Sequence, residues 1–332
     1  MLNYVARRLM VMIPTLLAIS AISFFIIQLP PGDFLTTLIN EQLSRGEGAD
    51  MSNIERLRQT YGLDRSLVEQ YFVWLFNALQ GDFGWSFEYE LPVTTVVGDR
   101  MLLTVLVNVA TIVFIWIVAF PIGVYAATHQ YSAGDYALTF LGFLGFAIPN
   151  FLLAIIIMYY SNVWFGTDIG GLMDREYIDQ PMSWGKFVSV LEHLIAPVIV
   201  IGTAGTAAMI RRLRANLLDE LQKQYYITAL AKGLPRRRAL IKYPLRSALN
   251  PFIADIGGIL PDLISGSTIV SVVLSLQTVG PLFLSALQSQ DMYLAGSMVF
   301  WLAILTVIGV LISDLLLAVL DPRIRLGGAA VK

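Results

Sequence analysis

Three carboxylates lie inside otherwise apolar stretches: Asp255 and Asp262 within 252–288, and Asp314 within 292–320. A carboxylate in hydrocarbon is costly, so it usually faces the protein interior or a water-filled cavity. Asp255 and Asp262 are therefore candidates to line a polar path across a membrane, where they would attract a cationic amine. The plainer alternative puts Asp255 at the mouth of such a path and has Asp314 hydrogen-bonded to a neighbouring helix. Gly257-Gly258 and Pro261 imply close helix packing and a bent segment there. The Pro149-Asn150 break in another apolar run is a second candidate for the path, as packing point or gate.

Other chemistry is harder to find. Cys is absent, which excludes disulfides, thiolate metal sites and a Cys nucleophile. His129 and His193 are too far apart in sequence to suggest a zinc site, and His193, just before Ala196-Pro197, reads as an interfacial structural residue. No G-x-S-x-G, H-E-x-x-H or G-x-G-x-x-G occurs. Gly185-Lys186 is followed by Phe187 and has no upstream glycine, so it is not a phosphate-binding loop. If ATP drives this protein, another chain must bind it. Three scattered Asp make no acid–base pair, and the chain does not read as an enzyme.

The elements that would position these residues are membrane spans. The chain has 332 residues, 56% of them hydrophobic and only 14% charged, against about 25% charged in a soluble domain. A span needs roughly 20 mostly apolar residues. Such runs occur at 9–29, 101–128, 136–165, 194–210 (extended by what precedes it), 252–288 and 292–320, which gives six helices in an all-α fold. The first run is too long for the apolar part of a cleaved leader and ends at Pro30-Pro31-Gly32-Asp33, so it reads as a retained span. Trp85, Trp164, Trp184 and Trp301 suit an interface belt or packing.

Orientation follows from the basic residues. Two lie near the amino end, ten in 211–246 and three in the tail, so fifteen of the 22 Lys and Arg fall on one side of a six-span chain. By the positive-inside rule that side, with both termini, is cytoplasmic. The segment 31–99 falls outside and holds eleven acids against four Arg. Within it, apolar residues at spacings of three and four over 52–79 predict amphipathic helices packed on the membrane domain. Tyr61-Gly62-Leu63-Asp64 reads as a Gly turn followed by an Asp N-cap.

The basic segment carries more than charge. Composition predicts a helix over 216–232, stopped by Gly233 and Pro235, then a basic amphipathic helix from Arg236 to Leu249 interrupted at Pro244. A solvated loop obeying the positive-inside rule explains the Arg and Lys. It does not explain Tyr225-Tyr226 or the small Ala229 and Ala231 ahead of Lys232-Gly233. Small residues permit close approach to a partner groove, and aromatics anchor such contacts.

The run Gln224-Tyr225-Tyr226-Ile227-Thr228-Ala229-Leu230-Ala231-Lys232-Gly233 through Leu249 resembles the cytoplasmic loop of bacterial ABC importer permeases, and within them the dipeptide/oligopeptide (and nickel) permease family. Ala229, Gly233 and Leu245 match the general loop pattern, whereas Ile227, Thr228, Tyr243 and Arg246 depart from it as the peptide branch does. The likeness extends to Arg7-Arg8-Leu9, Leu29-Pro30-Pro31-Gly32-Asp33, Gly81-Asp82-Phe83-Gly84-Trp85-Ser86-Phe87, Phe120-Pro121-Ile122-Gly123 and Leu320-Asp321-Pro322-Arg323.

That resemblance implies a type I permease in a bacterial inner membrane. Its first span would occupy 1–30, an external segment 31–99, a five-helix core 100–320 containing a coupling loop at 211–247, and a cytoplasmic tail 321–332. Tyr225, Tyr226, Ala229, Ala231, Lys232, Gly233, Arg236, Arg237 and Leu245 would engage a separate ATPase, with Arg238 in the same basic group. Lipid phosphate is the competing partner for each Arg. The implied partners are a homologous second permease, two ATPase subunits or domains that bind ATP and Mg, a periplasmic or lipid-anchored substrate-binding protein, and membrane lipid; nucleic acid is not among them. The implied cargo is an oligopeptide or dipeptide, with oligosaccharide or nickel as alternatives. A stand-alone secondary transporter or channel is the rival class, but the paired inverted repeats it would carry are not evident in six unequal spans.

Overall fold

The computed structural model describes residues 2–29, 32, 34–44, 55–56, 58–59, 62–167, 169–178, 180–181 and 183–320. It is almost entirely helical. Among the described residues, four helices are long and apolar enough to cross a membrane: α1 (Leu2–Ile27), α4 (Val93–Thr128), α7 (Trp184–Leu221) and α13 (Met292–Leu320). Helices α5 (Ala133–Ala147) and α6 (Asn150–Phe165) pass the same test together, as one span bent by 96° at the Pro149 break. Pro149 has no N–H to donate and disfavours helix in the residue before it, so the ladder breaks there. The remaining expected run, 252–288, is divided in the structure: α11 (Asn250–Val273) ends well before 288 and a separate short helix follows. The α11 side chains between 254 and 265, those of Asp255 and Asp262 included, lie outside the described residues, as does the tail from 321.

The chain divides into two compact units. One comprises Leu103–Gln277 with the chain from Ile308 onward. Its first core gathers Val107, Ala154, Leu172, Leu194, Val200, Ile201, Val270 and Leu274. A second core gathers Ile115, Ala119, Met209, Ile210, Leu213, Leu217, Ala248 and Phe252. Helices α4 and α7 approach closely because of two glycines. A Cβ at Gly202 would stand 2.6 Å from the Phe114 ring, and one at Gly205 2.6 Å from Ile115 Cδ1. Small residues at such crossings allow helices to pack by contact area where no hydrophobic drive separates protein from lipid.

The other unit comprises Leu2–Leu102 with Thr278–Val307. It contains α1, α2 (Phe34–Ser44), α3 (Leu67–Leu79), a two-residue hairpin of β1 (Trp85–Ser86) and β2 (Leu91–Pro92), and α12 (Val279–Gln288). Phe24, Tyr71, Trp74, Phe83, Phe87, Leu282 and Met298 form its aromatic core. The cap of α3 is Ser66, not Asp64. Its side chain accepts from Glu69 N at 3.3 Å while Glu69 Oε2 accepts from Ser66 N at 3.1 Å. This capping box satisfies two donors reciprocally, which Asp64 could not do from inside the turn at Gly62 (φ +65°).

Candidate functional site

The basic segment begins on a span. Helix α7 continues past the apolar run to Leu221, because Leu213 and Leu217 are fully buried in the second core. The expected helix over 216–232 is therefore two helices. The chain turns at Gln222–Lys223, where Lys223 is extended (ψ 143°), and restarts as α8 (Gln224–Ala231). Packing of Leu217 on its own helix and of Ala229 on the next overrides the continuous helix that composition favours.

Gly233 closes α8 in the left-handed region, at φ +85°. Its N–H donates to Leu230 O at 2.9 Å, and Leu234 N–H reaches back to Ala229 O at 3.2 Å. These bonds satisfy carbonyls that the helix end leaves orphaned. Pro235 then opens α9 (Arg236–Lys242), and α10 (Pro244–Ala248) follows a break at Tyr243. The amphipathic stretch over 236–249 is interrupted where Pro244 predicts.

Burial sorts these residues into two sets. Ala229, Ala239, Pro244 and Ala248 are buried, with Leu245 half-buried on the second core. They hold the short helices against α7 and one another. Tyr225, Ile227, Ala231, Lys232, Gly233 and Arg236–Arg238 are exposed, and Tyr226 is half-buried. Exposure is 49% at Ile227 and 65% at Ile241, two apolar side chains whose part in this surface composition does not reveal. Among the described residues, Lys232 and Arg236–Arg238 make no ion pair with a carboxylate. The outer face of the segment thus offers exposed isoleucines, an aromatic edge and a group of cations.

Tyr225 is oriented by its surroundings. Its hydroxyl donates to the Glu220 carboxylate, and its ring centroid lies 6.3 Å from that of Tyr243. Partial burial, reinforced by Glu220, pushes the phenol up to about 12, so it stays a donor at any physiological pH.

One basic residue of the segment is not available to a partner. Arg214 donates from Nε to Asp135 Oδ1 at 2.8 Å and from Nη2 to Oδ2 at 2.7 Å. Asp135 is also held by Tyr131 N at 3.0 Å, and Ser132, the N-cap of α5, accepts from its N–H at 3.1 Å. This fork ties the start of α5 to the C-terminal part of α7. The two residues are 79 positions apart, with no local pattern linking them.

The other candidates stand apart from this surface. Pro149 and Asn150 sit at the bend between α5 and α6. His193 donates from Nδ1 to Ser189 O at 2.8 Å and places Nε2 3.9 Å from the Asp174 carboxylate, while Ser189 Oγ donates to Asp174 Oδ2 at 2.7 Å and pins the loop before α7 to that helix. Among the described residues no group of three or more His, Cys, Asp or Glu is arranged to hold a metal ion.

Comparison with known proteins places this architecture. The family described as "Binding-protein-dependent transport system inner membrane component" matches residues 119–326, and its N-terminal counterpart matches 1–110. The chain is 34% identical over 329 residues to the oligopeptide transport system permease protein AppB of Bacillus subtilis, covering 98% of this chain and all of that protein. It is 30% identical over 341 residues to the dipeptide transport system permease protein DppB of Escherichia coli K12, covering 98% and 99%. The oligopeptide permease OppB of Haemophilus influenzae is 30% identical over 326 residues, with 98% and 100% covered. With matches along nearly its whole length and several apolar helices, the chain belongs to the binding-protein-dependent transport permeases, as a multi-pass component of a bacterial inner membrane.

Proposed function

We propose that the chain is one of two permease subunits in an ATP-driven importer of oligopeptides or dipeptides, receiving cargo from a separate binding protein. The observation that carries this reading is the outer face of α8 and α9. A short helix stopped by Gly233 presents Ile227, Tyr225 and the cations Lys232 and Arg236–Arg238 directly beneath a 38-residue span-forming helix. The sequence contains no nucleotide-binding motif, so this face is the natural place for an external ATPase to act. The names of the relatives favour peptide cargo over nickel or oligosaccharide.

In this reading the ATPase groove receives α8, with Ile227 as the apolar anchor and Arg236 and Arg237 facing acid. Closure of the paired ATPase subunits pushes on α8. Helix α9, packed against α8 and α10, and α10, packed on α7 through Ala248, transmit the displacement to the span. Asp135–Arg214 carries it on to α5. A rigid path of this kind lets one input bias a two-state membrane domain. The complex would hold a homologous second permease and two ATPase subunits or domains, which bind ATP and Mg, and both termini of this chain would face the cytoplasm.

The experiment is co-purification. Tagged chain extracted in mild detergent from cells expressing the neighbouring reading frames should bring down an ATPase and a second permease. Uptake of labelled peptide into proteoliposomes holding the complex should require ATP and the binding protein. A chain that purifies alone and transports without ATP would overturn the reading.

A further inference from the structure

Helix α3 belongs to a segment that charge and hydropathy assign to the aqueous side, yet its contacts put it at the depth of the lipid. Helix α1 serves as a ruler. Arg7 and Arg8 mark one membrane border, and a helix rises about 1.5 Å per residue through about 30 Å of hydrocarbon. Ser20 then lies about 18 Å above Arg8, and Phe24 about 24 Å. The Tyr71 hydroxyl of α3 is 2.9 Å from Ser20 Oγ, and its ring lies 5.5 Å from that of Phe24. Trp74 adds a contact with Phe24 at 5.8 Å between ring centroids. The inner face of α3 therefore packs on a part of α1 some 6–12 Å inside the far border.

A second ruler agrees. Trp74 Nε1 donates to Ser297 Oγ at 3.4 Å, and the Trp74 ring lies 5.7 Å from Phe300. Phe300 is two turns into α13, about 12 Å from Met292. The polar groups of α3 stay at its amino end. Glu69 is spent in the capping box, and Gln70, buried, takes the Gln28 amide at 3.5 Å and donates to Arg65 O at 2.9 Å. Beyond Gln70 the helix reads YFVWLFNAL, with Asn77 its one side chain able to hydrogen-bond that is neither aromatic nor buried.

The opposite face is bare. Val68, Phe72, Phe76 and Leu79 recur every three or four residues and are 54%, 61%, 66% and 75% exposed. A face this apolar in water would be an association liability. At the depth fixed by Tyr71 and Trp74 it continues the outward surface of α1, where Ile22, Phe25 and Ile26 are also exposed. We infer that α3 is a membrane-inserted helix lying in the leaflet farther from Arg7 and Arg8, and that acyl chains of that leaflet cover Val68, Phe72, Phe76 and Leu79. Interfacial helices commonly sink about 5–10 Å, and α3 lies at the deep end of that range. The insertion fixes the position of the hairpin of β1 and β2 that follows it.

Because this chain has no Cys, each single-Cys variant carries one label site, and it is labelled before assembly with the other subunits. Spin labels at Phe72→Cys, Phe76→Cys and Leu79→Cys, in the full complex in lipid nanodiscs, should collide severalfold more with oxygen than with a water-soluble nickel chelate. A label at Asp64→Cys, just ahead of the cap, should show the reverse. Chelate collisions at 72, 76 and 79 equal to those at 64 would place the face in water and overturn the inference. Low collision with both reagents would mean that a protein partner, such as the second permease, covers it, and would overturn it equally. The unmodified chain supplies an independent check. A diazirine placed mid-chain in a phospholipid should label the 67–79 peptide, and labelling confined to α1 would contradict the assignment.

Discussion

Ser86 Oγ donates to Asp291 Oδ2 at 2.7 Å, across 205 residues of chain. The same oxygen accepts from Phe87 N at 2.7 Å and Glu88 N at 3.2 Å, while Oδ1 takes Leu294 N at 3.1 Å. Asp291 is fully buried. One carboxylate thus organises both the hairpin after α3 and the entry to α13. Beside it, Glu88 accepts the Ser285 and Ser289 hydroxyls at 2.7 and 2.6 Å, fastening the same hairpin to α12.

Removing the acceptor leaves buried donors with no partner, the expensive half of a broken hydrogen bond. Asp291→Ala should cost about 3 kcal/mol or more, whereas Ser86→Ala, which deletes one donor to a charged group, should cost about 1.5–3 kcal/mol. Thermal unfolding in detergent, followed by near-UV circular dichroism, should rank them in that order. Equal small losses would mean that the hairpin is held by its aromatic contacts instead.

Asp291 also gives a pH signature. Burial raises its pKa above the ordinary carboxylate value, outweighing the donors from Ser86, Leu294, Glu88 and Phe87. A group raised on folding contributes stability that is complete below the unfolded pKa, near 3.9, and is lost as pH rises through the folded value. The stability difference between wild type and Asp291→Asn should therefore fall as pH rises from about 4 through the raised pKa. A difference that stays flat with pH would show that Asp291 titrates normally.

The Asp135–Arg214 fork should behave as a single unit. The Asp135 side chain is 3% exposed and that of Arg214 26%. Asp135→Ala strands a partly buried guanidinium and should cost about 3–5 kcal/mol, while Asp135→Asn with Arg214→Gln should cost clearly less than the sum of the single changes. Arg214→Lys should not rescue, because an ammonium cannot reproduce the two parallel bonds. A double-mutant cycle on unfolding midpoints reads the coupling directly.

Gly233 separates backbone strain from partner contact. An added Cβ would meet nothing within 4 Å, so only the φ of +85° opposes substitution. Gly233→Ala should cost about 1 kcal/mol, and Gly233→Asn less, because Asn tolerates this region. If both variants unfold like wild type yet lose uptake, the outer surface at Gly233, rather than its conformation, is what the proposed ATPase partner would read.

Much of this was legible in the residues. Long uncharged runs mark spans because lipid excludes charge, and Gly233 before Pro235 marks a helix end because left-handed backbone favours glycine. Ser66-x-x-Glu69 was equally legible as a capping box, although the Gly62-Leu63-Asp64 turn draws attention first. What local pattern could not reveal is pairing across the chain. Asp291 is an unremarked acid until folding sets Ser86 beside it, and Arg214 counts as loop charge until Asp135 neutralises it. The depth of α3 was hidden for the same reason. Its face reads as amphipathic in sequence, and only contact with Ser20 and Phe24 shows what surrounds it.

The proposed action of an ATPase on the outer face of α8 and α9 can be tested by charge and apolar substitutions on exposed residues, which leave the core undisturbed. Ile227→Asp combined with Arg237→Glu, in the tagged chain co-expressed with its partners, should retain the second permease on purification. It should lose ATPase subunits at least tenfold and abolish ATP-dependent peptide uptake. Undiminished ATPase recovery with normal uptake would contradict the account.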